Sequence, residues 1–218
     1  MRARIVALVV VALVAVQPQR PQAQVPARNS RLFPPLDLGL LEGPDRDEWQ
    51  KPDQIMDALG IADSAAVADL GCGAGWFTIR LARRVGPNGL VYAEDVQTEM
   101  IRATERRAQR EGLRNVRPIL GTEDDPKLPA SRVDAVLIVD AYHEIVNPVA
   151  LLRNVGRALK PSGRIGIIDF TRGNGGPGPP SEERVDPAII LRDAQRAGLR
   201  FFRQESFLPF QYLLILGK

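Results

Sequence analysis

The chain predicts an α/β domain built on a largely parallel sheet, and three observations carry that prediction. From residue 53 onward, short β-branched runs alternate with helical patterns, the order expected when crossover helices cover a parallel sheet. The last two strand candidates, Leu199–Phe207 and Gln211–Leu216, lie too close together for a crossover helix, and their spacing permits an antiparallel pair. Composition is ordinary for a globular domain, at 44% apolar and 25% charged, which rules out a wholly disordered or collagen-like chain.

Asp53 is a good N-cap for a helix to about Leu59, and Gly60 stops it. Val67–Leu70 is an apolar strand, followed by the turn Gly71-Cys72-Gly73-Ala74-Gly75. A helix from Trp76 to Val85 breaks at Gly86-Pro87-Asn88-Gly89. Leu90–Glu94 is the second strand, and Thr98–Glu111 is a charged helix ended by Gly112. In that helix Arg102, Arg106, Arg107 and Arg110 alternate with Glu99, Glu105 and Glu111, which describes a solvated face rather than an RNA surface. Val116–Leu120 and Val133–Val139 are the third and fourth strands. Pro148–Leu159 is a helix closed by Lys160-Pro161-Ser162-Gly163, and Arg164–Phe170 is the fifth strand. The Gly/Pro tract from Gly173 to Pro180 reads as a substrate lid or an insertion, and a helix near Pro187–Ala197 follows it. Phe201, Phe202, Phe207 and Phe210 read as core residues. No internal repeat is present.

The whole excess of positive charge sits at the N-terminus. Residues 1–27 hold Arg2, Arg4 and Arg20 and no acid, so residues 28–218 balance 26 basic against 26 acidic side chains. Global basicity therefore gives no reason to expect a nucleic-acid partner. Ile5 to Val16 is an unbroken apolar run of 12 residues behind two arginines. It is short for a bilayer span, which takes about 20 residues. The pattern is that of a secretory signal peptide, with an uncleaved membrane anchor as the rival. The protein is accordingly expected to be exported, or else anchored to a membrane with a cytoplasmic body. Residues 28–45 read as a linker and 46–218 as a single domain. One cysteine excludes an internal disulfide, one histidine excludes a multi-histidine metal centre, and no metal site is expected.

The strongest chemical signal is Ala68-Asp69-Leu70-Gly71-Cys72-Gly73-Ala74-Gly75, placed between a strand and a helix. Glycines there bring bare backbone close to a ligand, and the helix N-terminus that follows favours negative charge. A dinucleotide fingerprint needs glycine at position 76, where Trp76 stands, so NAD and FAD are disfavoured. Asp95, 20 residues after Gly75, closes the second strand where a carboxylate accepts from both hydroxyls of a ribose. Glu94 is adjacent, and strand alternation sends it to the other face. After the fourth strand comes Asp140-Ala141-Tyr142-His143-Glu144. His143 is a candidate general base, with Glu144 to orient it; the alternative is a residue that only lines the loop. Asp140 is a second candidate catalytic residue, or a partner for the cofactor or a backbone turn.

On these residues, together with Leu159-Lys160-Pro161-Ser162-Gly163-Arg164 and the terminal hairpin, residues 46–218 resemble the class I S-adenosylmethionine-dependent methyltransferases. The nearest type is that of the small quinone-biosynthesis C-methyltransferases. The resemblance implies a Rossmann-like, doubly wound seven-stranded sheet of order 3-2-1-4-5-7-6 with strand seven antiparallel. It also implies that Asp69, Gly71, Gly73 and Gly75 hold the methionine moiety of S-adenosyl-L-methionine and that Asp95 holds the ribose. By the same resemblance the turn after strand three holds adenine, through Asp124 rather than Glu123, and segments such as Arg46-Asp47-Glu48-Trp49-Gln50 close over the cofactor. The expected activity is methyl transfer to an oxygen, nitrogen or carbon of a small-molecule acceptor. The competing expectation is a non-catalytic cofactor-binding or sensor protein on the same fold.

Overall fold

The computed structural model describes residues 32–173 and 175–218. The apolar run Ile5–Val16 lies outside them. Among the described residues, no helix is long and apolar enough to cross a membrane.

Seven strands form one sheet: β1 (Ala66–Leu70), β2 (Leu90–Asp95), β3 (Val116–Leu120), β4 (Val133–Val139), β5 (Leu159–Phe170), β6 (Arg200–Glu205) and β7 (Gln211–Gly217). Their spatial order is β3-β2-β1-β4-β5-β7-β6. β1 to β5 pair in parallel, and β7 runs antiparallel to both β5 and β6. The expected order and the reversed last strand are both present. From β1 the chain winds outward through β2 and β3, then returns to β4 on the other side. The tips of β1 and β4 are therefore the switch point, where ligands of open α/β sheets bind.

Both faces of the sheet are covered, which explains why the central strands β1 and β4 are buried at nearly every position rather than at alternate ones. On one face α2 (Pro52–Ala58) and α3 (Trp76–Val85) pack Ile55, Met56, Phe77 and Leu81 against Val67, Val91, Leu137 and Ile215. Farther along this face α4 (Thr98–Arg110) contributes Ile101 against Ala93. The buried positions of α4, Met100, Ile101, Thr104 and Ala108, recur at helical spacing, and its arginines and glutamates face outward. On the other face α5 (Pro148–Ala158) and α6 (Pro187–Arg196) pack Leu152, Val155 and Ile190 against Val136, Ile138, Ile165 and Leu214. Asp186 caps α6 by accepting from Ala188 N at 2.8 Å.

Several local features differ from the sequence reading. α2 opens at Pro52, which places Asp53 inside its first turn rather than at the N-cap. Leu159 already pairs with Val133, and Lys160 to Gly163 form a bulge before pairing resumes at Ala135 and Arg164. Phe201 and Phe202 are not core residues. They stand 47% and 40% exposed on the edge strand β6, where a bulge between Phe201 and Arg203 interrupts the alternation. Phe202 lies beneath the Arg164 guanidinium, 4.5 Å from the ring centroid. Residues Pro35–Leu41 form a 3-10 helix within the stretch read as linker, and Arg46–Gln50 forms a short helix, α1.

Candidate active site

β1 ends in the glycine turn, and its geometry explains the residue choice. Gly71 has φ +70°, and a Cβ there would stand 2.6 Å from the Ala141 Cβ in the loop after β4. A side chain at 71 would push the two central strand tips apart. Gly73 has φ +53° with open space around its missing Cβ, so bare backbone faces outward there. The turn is held from behind. Gly73 N donates to Asp95 Oδ2 at 3.0 Å, and Thr104 Oγ1 on α4 donates to Gly73 O at 2.8 Å. Asp95 Oδ1 accepts from Gln97 N at 2.9 Å. Burial raises the Asp95 pKa, and these backbone donors oppose the rise.

Asp69 is buried and accepts from Thr78 Oγ1 on α3 at 2.6 Å. Burial pushes its pKa up to about 6, against the opposing effects of Thr78 and Arg46. Glu94 lies on the opposite face from Asp95, as strand alternation requires. It fills the space left by Gly121, and burial pushes its pKa up to about 8. Among the described residues, Glu94 Oε1 is the buried side-chain atom that has no hydrogen-bond partner. Beyond β3, Glu123 and Asp124 are exposed; Asp124 Oδ1 accepts from Thr122 Oγ1 at 3.0 Å, and its carbonyl accepts from Asn154 Nδ2 at 2.6 Å.

The loop after β4 holds the second half of the site. Asp140 has φ +55°, an uncommon conformation that aspartate tolerates better than most residues. Its Oδ2 accepts from Arg46 and from Gln50 Nε2, each at 3.0 Å, and its Oδ1 accepts from Gln211 Nε2. α1 is thereby fastened to the strand tips. The Trp76 ring lies between two guanidinium groups, Arg46 at 4.2 Å and Arg80 at 3.6 Å from its centroid. Arg46 belongs to the segment expected to close over the cofactor, and its own pairing role is marked in the sequence only by the i, i+4 spacing to Gln50.

His143 sits in the 3-10 helix Tyr142–Glu144, its side chain 11% exposed. Its partner is Asp169 of β5, not the neighbouring Glu144. Asp169 is fully buried and accepts from His143 N at 3.1 Å, and its oxygens lie 3.1 and 3.2 Å from Nδ1. Glu144 Oε1 stands 3.7 Å from Nε2, beyond hydrogen-bond reach, while its Oε2 accepts from Phe33 N at 2.8 Å. Burial lowers the His143 pKa, but the Asp169 hydrogen bond and the charges of Asp169, Glu144 and Asp140 outweigh it, and the net shift is upward.

Two segments cover this edge. Gln97 Nε2 donates to Phe33 O at 3.1 Å, so residue 33 bridges the tips beyond β2 and β4. Trp49 of α1 packs against Phe170 and Phe210, with centroids 6.0 and 6.4 Å away. In the Gly/Pro tract, a Cβ on Gly176 or Gly178 would strike the ring of Phe210 or Phe170 at 2.6 Å. Arg184, itself buried, donates to the carbonyls of Thr171, Pro177 and Pro179 and lies 5.4 Å over the Phe170 ring. The described part of this tract is thus pinned down on aromatic rings.

The donors and acceptors fit S-adenosylmethionine. The outward backbone of Gly73 offers close approach for the amino-acid end, Asp95 stands where ribose hydroxyls would donate, and Trp76 occupies the position a dinucleotide site keeps for glycine. Comparison with known proteins agrees. Residues 61–195, more than half of the chain, match the family model described as a methyltransferase domain. A solved S-adenosylmethionine-dependent methyltransferase from Aquifex aeolicus is 29% identical, with a TM-score of 0.80 over 84% of this chain and 98% of that one. Nocamycin O-methyltransferase of Saccharothrix syringae is 33% identical over 60% of this chain and 44% of its own length. The ubiquinone/menaquinone biosynthesis C-methyltransferase UbiE of Pasteurella multocida is 29% identical over 54% and 44%. The chain thus spans less than half the length of these two curated relatives. With the sheet order, the glycine turn and the family match in agreement, the chain belongs to the methyltransferase-domain family, the class I enzymes whose cofactor is S-adenosylmethionine.

Proposed function

We propose that the protein methylates a small-molecule acceptor at oxygen, nitrogen or carbon, with His143 taking the acceptor's proton. The observation that carries the reading is the His143–Asp169 pair, set two residues beyond the Ala141 that touches the glycine turn. When bound, the cofactor supplies an electrophilic methyl group on a sulfonium sulfur. Alignment and a deprotonated acceptor are then most of what the protein must provide. In this reading Asp95 and the Gly71–Gly75 turn hold the ribose and methionine ends, with Asp69 beside them, and Asp124 is assigned to the adenine. Asp140, whose oxygens are engaged by Arg46, Gln50 and Gln211, anchors α1 over the site. Trp49, half-buried and backed by Phe170 and Phe210, offers an aromatic face to a flat acceptor. The names of the relatives, an O-methyltransferase and a quinone C-methyltransferase, favour a small-molecule acceptor.

The reading includes a location. Residues 1–27 export the body or tether it, and a tether that leaves the body in the cytoplasm suits a cofactor made there and a lipid-like acceptor. N-terminal sequencing of the native protein separates the two.

Titration calorimetry with S-adenosylmethionine, S-adenosylhomocysteine and NAD tests the core of the proposal. Both sulfur ligands should bind and NAD should not. Asp95→Ala should weaken S-adenosylhomocysteine by roughly tenfold or more, the effect of one or two lost charge-assisted hydrogen bonds. His143→Ala should bind normally and turn over on the order of 100-fold more slowly. A chain that binds neither sulfur ligand overturns the proposal.

A further inference from the structure

We infer that Asp169 is the positioning residue for His143, fixing the tautomer in which Nδ1 carries the proton and Nε2 is the basic atom offered to the acceptor. The inference rests on the methyltransferase reading above and deepens it.

An ionised carboxylate only accepts. The Asp169 carboxylate lies within 3.2 Å of Nδ1 through both oxygens, so in the neutral ring the proton belongs on Nδ1. The same carboxylate accepts from His143 N at 3.1 Å and from Phe170 N at 2.8 Å. One buried group therefore grips both the backbone and the ring of the base, and ties them to the rigid strand β5. Glu144 does not compete for Nε2, since its Oε1 lies 3.7 Å away and its Oε2 accepts from Phe33 N.

The consequence for the reaction is a balanced step. The acceptor's electron pair forms the new bond to the methyl carbon as the carbon–sulfur bond breaks, and that bond's electrons stay on sulfur. The acceptor's proton passes to Nε2 of His143, and the imidazolium is stabilised by Asp169 until water removes the proton. A base arranged in this way serves acceptors that lose a proton on methylation, such as hydroxyls and acidic carbons. Tertiary amines and thioethers have no use for it.

The test exploits a fact of composition: His143 is the sole histidine of the chain. In tag-free, ¹⁵N-labelled protein saturated with S-adenosylhomocysteine, the imidazole nitrogens belong to one residue and can be titrated directly. The wild type should show a protonated Nδ1 and an unprotonated Nε2 in the neutral ring. The groups facing the ring are Asp169 from β5, and Glu144 and Asp140 from its own loop. Their charges should hold the titration above that of a free histidine. Asp169→Asn keeps one acceptor oxygen, so one of the two backbone N–H groups, of His143 or Phe170, loses its acceptor, and the amide nitrogen that replaces the other oxygen can donate to Nδ1. The proton should move to Nε2 and proton affinity should fall about tenfold, one pH unit. The acid limb of the turnover profile should shift down with it, while S-adenosylhomocysteine affinity stays within about threefold, well under one hydrogen bond's worth. An Nε2-protonated ring in the wild type overturns the inference, and needs no variant that folds. So does an Asp169→Asn protein whose tautomer and titration match the wild type. Failure of the cofactor to bind, read by calorimetry, counts against the methyltransferase proposal and leaves the tautomer result standing.

Discussion

The two halves of the site are made from different materials. Around the tips of β1 and β2 the cradle is mostly backbone, with glycines at 71 and 73 and carboxylates that burial holds at raised pKa. Around the tips of β4, β5 and β7 the work falls to side chains in pairs, Arg46 with Asp140, Gln50 with Gln211 and His143 with Asp169. A cradle of backbone suits a ligand that is always the same, since its shape does not depend on rotamers. A network of paired side chains can be re-set one residue at a time, and it faces the part of the chemistry that varies between enzymes of one fold.

The sharpest way to break this contrast is to put a side chain where the halves touch. Gly71→Val adds a Cβ against Ala141 at a positive φ, so it strains the turn and parts β1 from β4 together. S-adenosylhomocysteine affinity should fall more than about 100-fold, the scale of a strained and overpacked site. Calorimetry that finds wild-type affinity would mean the cradle is not set by backbone shape.

The paired half should fail differently. Arg46→Ala leaves Asp140 buried without its cation, which typically costs about 3–5 kcal/mol. Asp140→Asn in the same chain should return part of that loss, because the uncompensated charge is gone. Denaturant melts of both single variants and the double variant measure the coupling. Additive losses would show that the pair does not act as a unit.

Glu94 gives the most specific of the three effects, because it appears only at high pH. Its folded pKa is raised to about 8 from an ordinary 4.5, so the native state holds a proton that the unfolded chain releases. The stability it contributes is present below about pH 4.5 and is lost as pH rises through about 8. Glu94→Gln removes the cost of ionising in place. The variant should melt above the wild type at pH 9, and the gap should close toward pH 5. A gap that does not change with pH would show that Glu94 remains ionised throughout.

Legibility in the sequence followed the same division. The cradle is contiguous: residues 69 to 75 and Asp95 stand within one β-turn-α-β unit, and sheet order followed from resemblance on those motifs. The paired half is dispersed, with Arg46 and Asp140 94 residues apart and Gln50 and Gln211 161 apart. Nothing in Ile167-Ile168-Asp169-Phe170 distinguishes its acid from a solvated strand end, and only β4–β5 pairing brings it beneath His143. Adjacency made Glu144 the natural partner for His143, yet in the 3-10 turn the Glu144 carboxylate binds Phe33 N while Nδ1 faces the strand behind. The exposure of Phe201 and Phe202 is illegible in the sequence, because a bulge on an edge strand leaves no mark in the composition.

Arg184 has a consequence for the energetics of ligand capture. Pro177, Pro179 and Pro180 have no N–H, so the tract cannot organise itself by backbone pairing, and its carbonyls need donors from elsewhere. One planar guanidinium supplies two of them, to Pro177 and Pro179, and a third donor to Thr171 just before the tract, at fixed angles that a lysine's ammonium cannot copy. The shape of the loop around Pro177–Pro179 is therefore written by a residue beyond its end, before any ligand arrives. A surface moulded in advance has little ordering entropy left to lose on binding, so if this tract is the lid over the acceptor, a larger share of each contact remains as affinity.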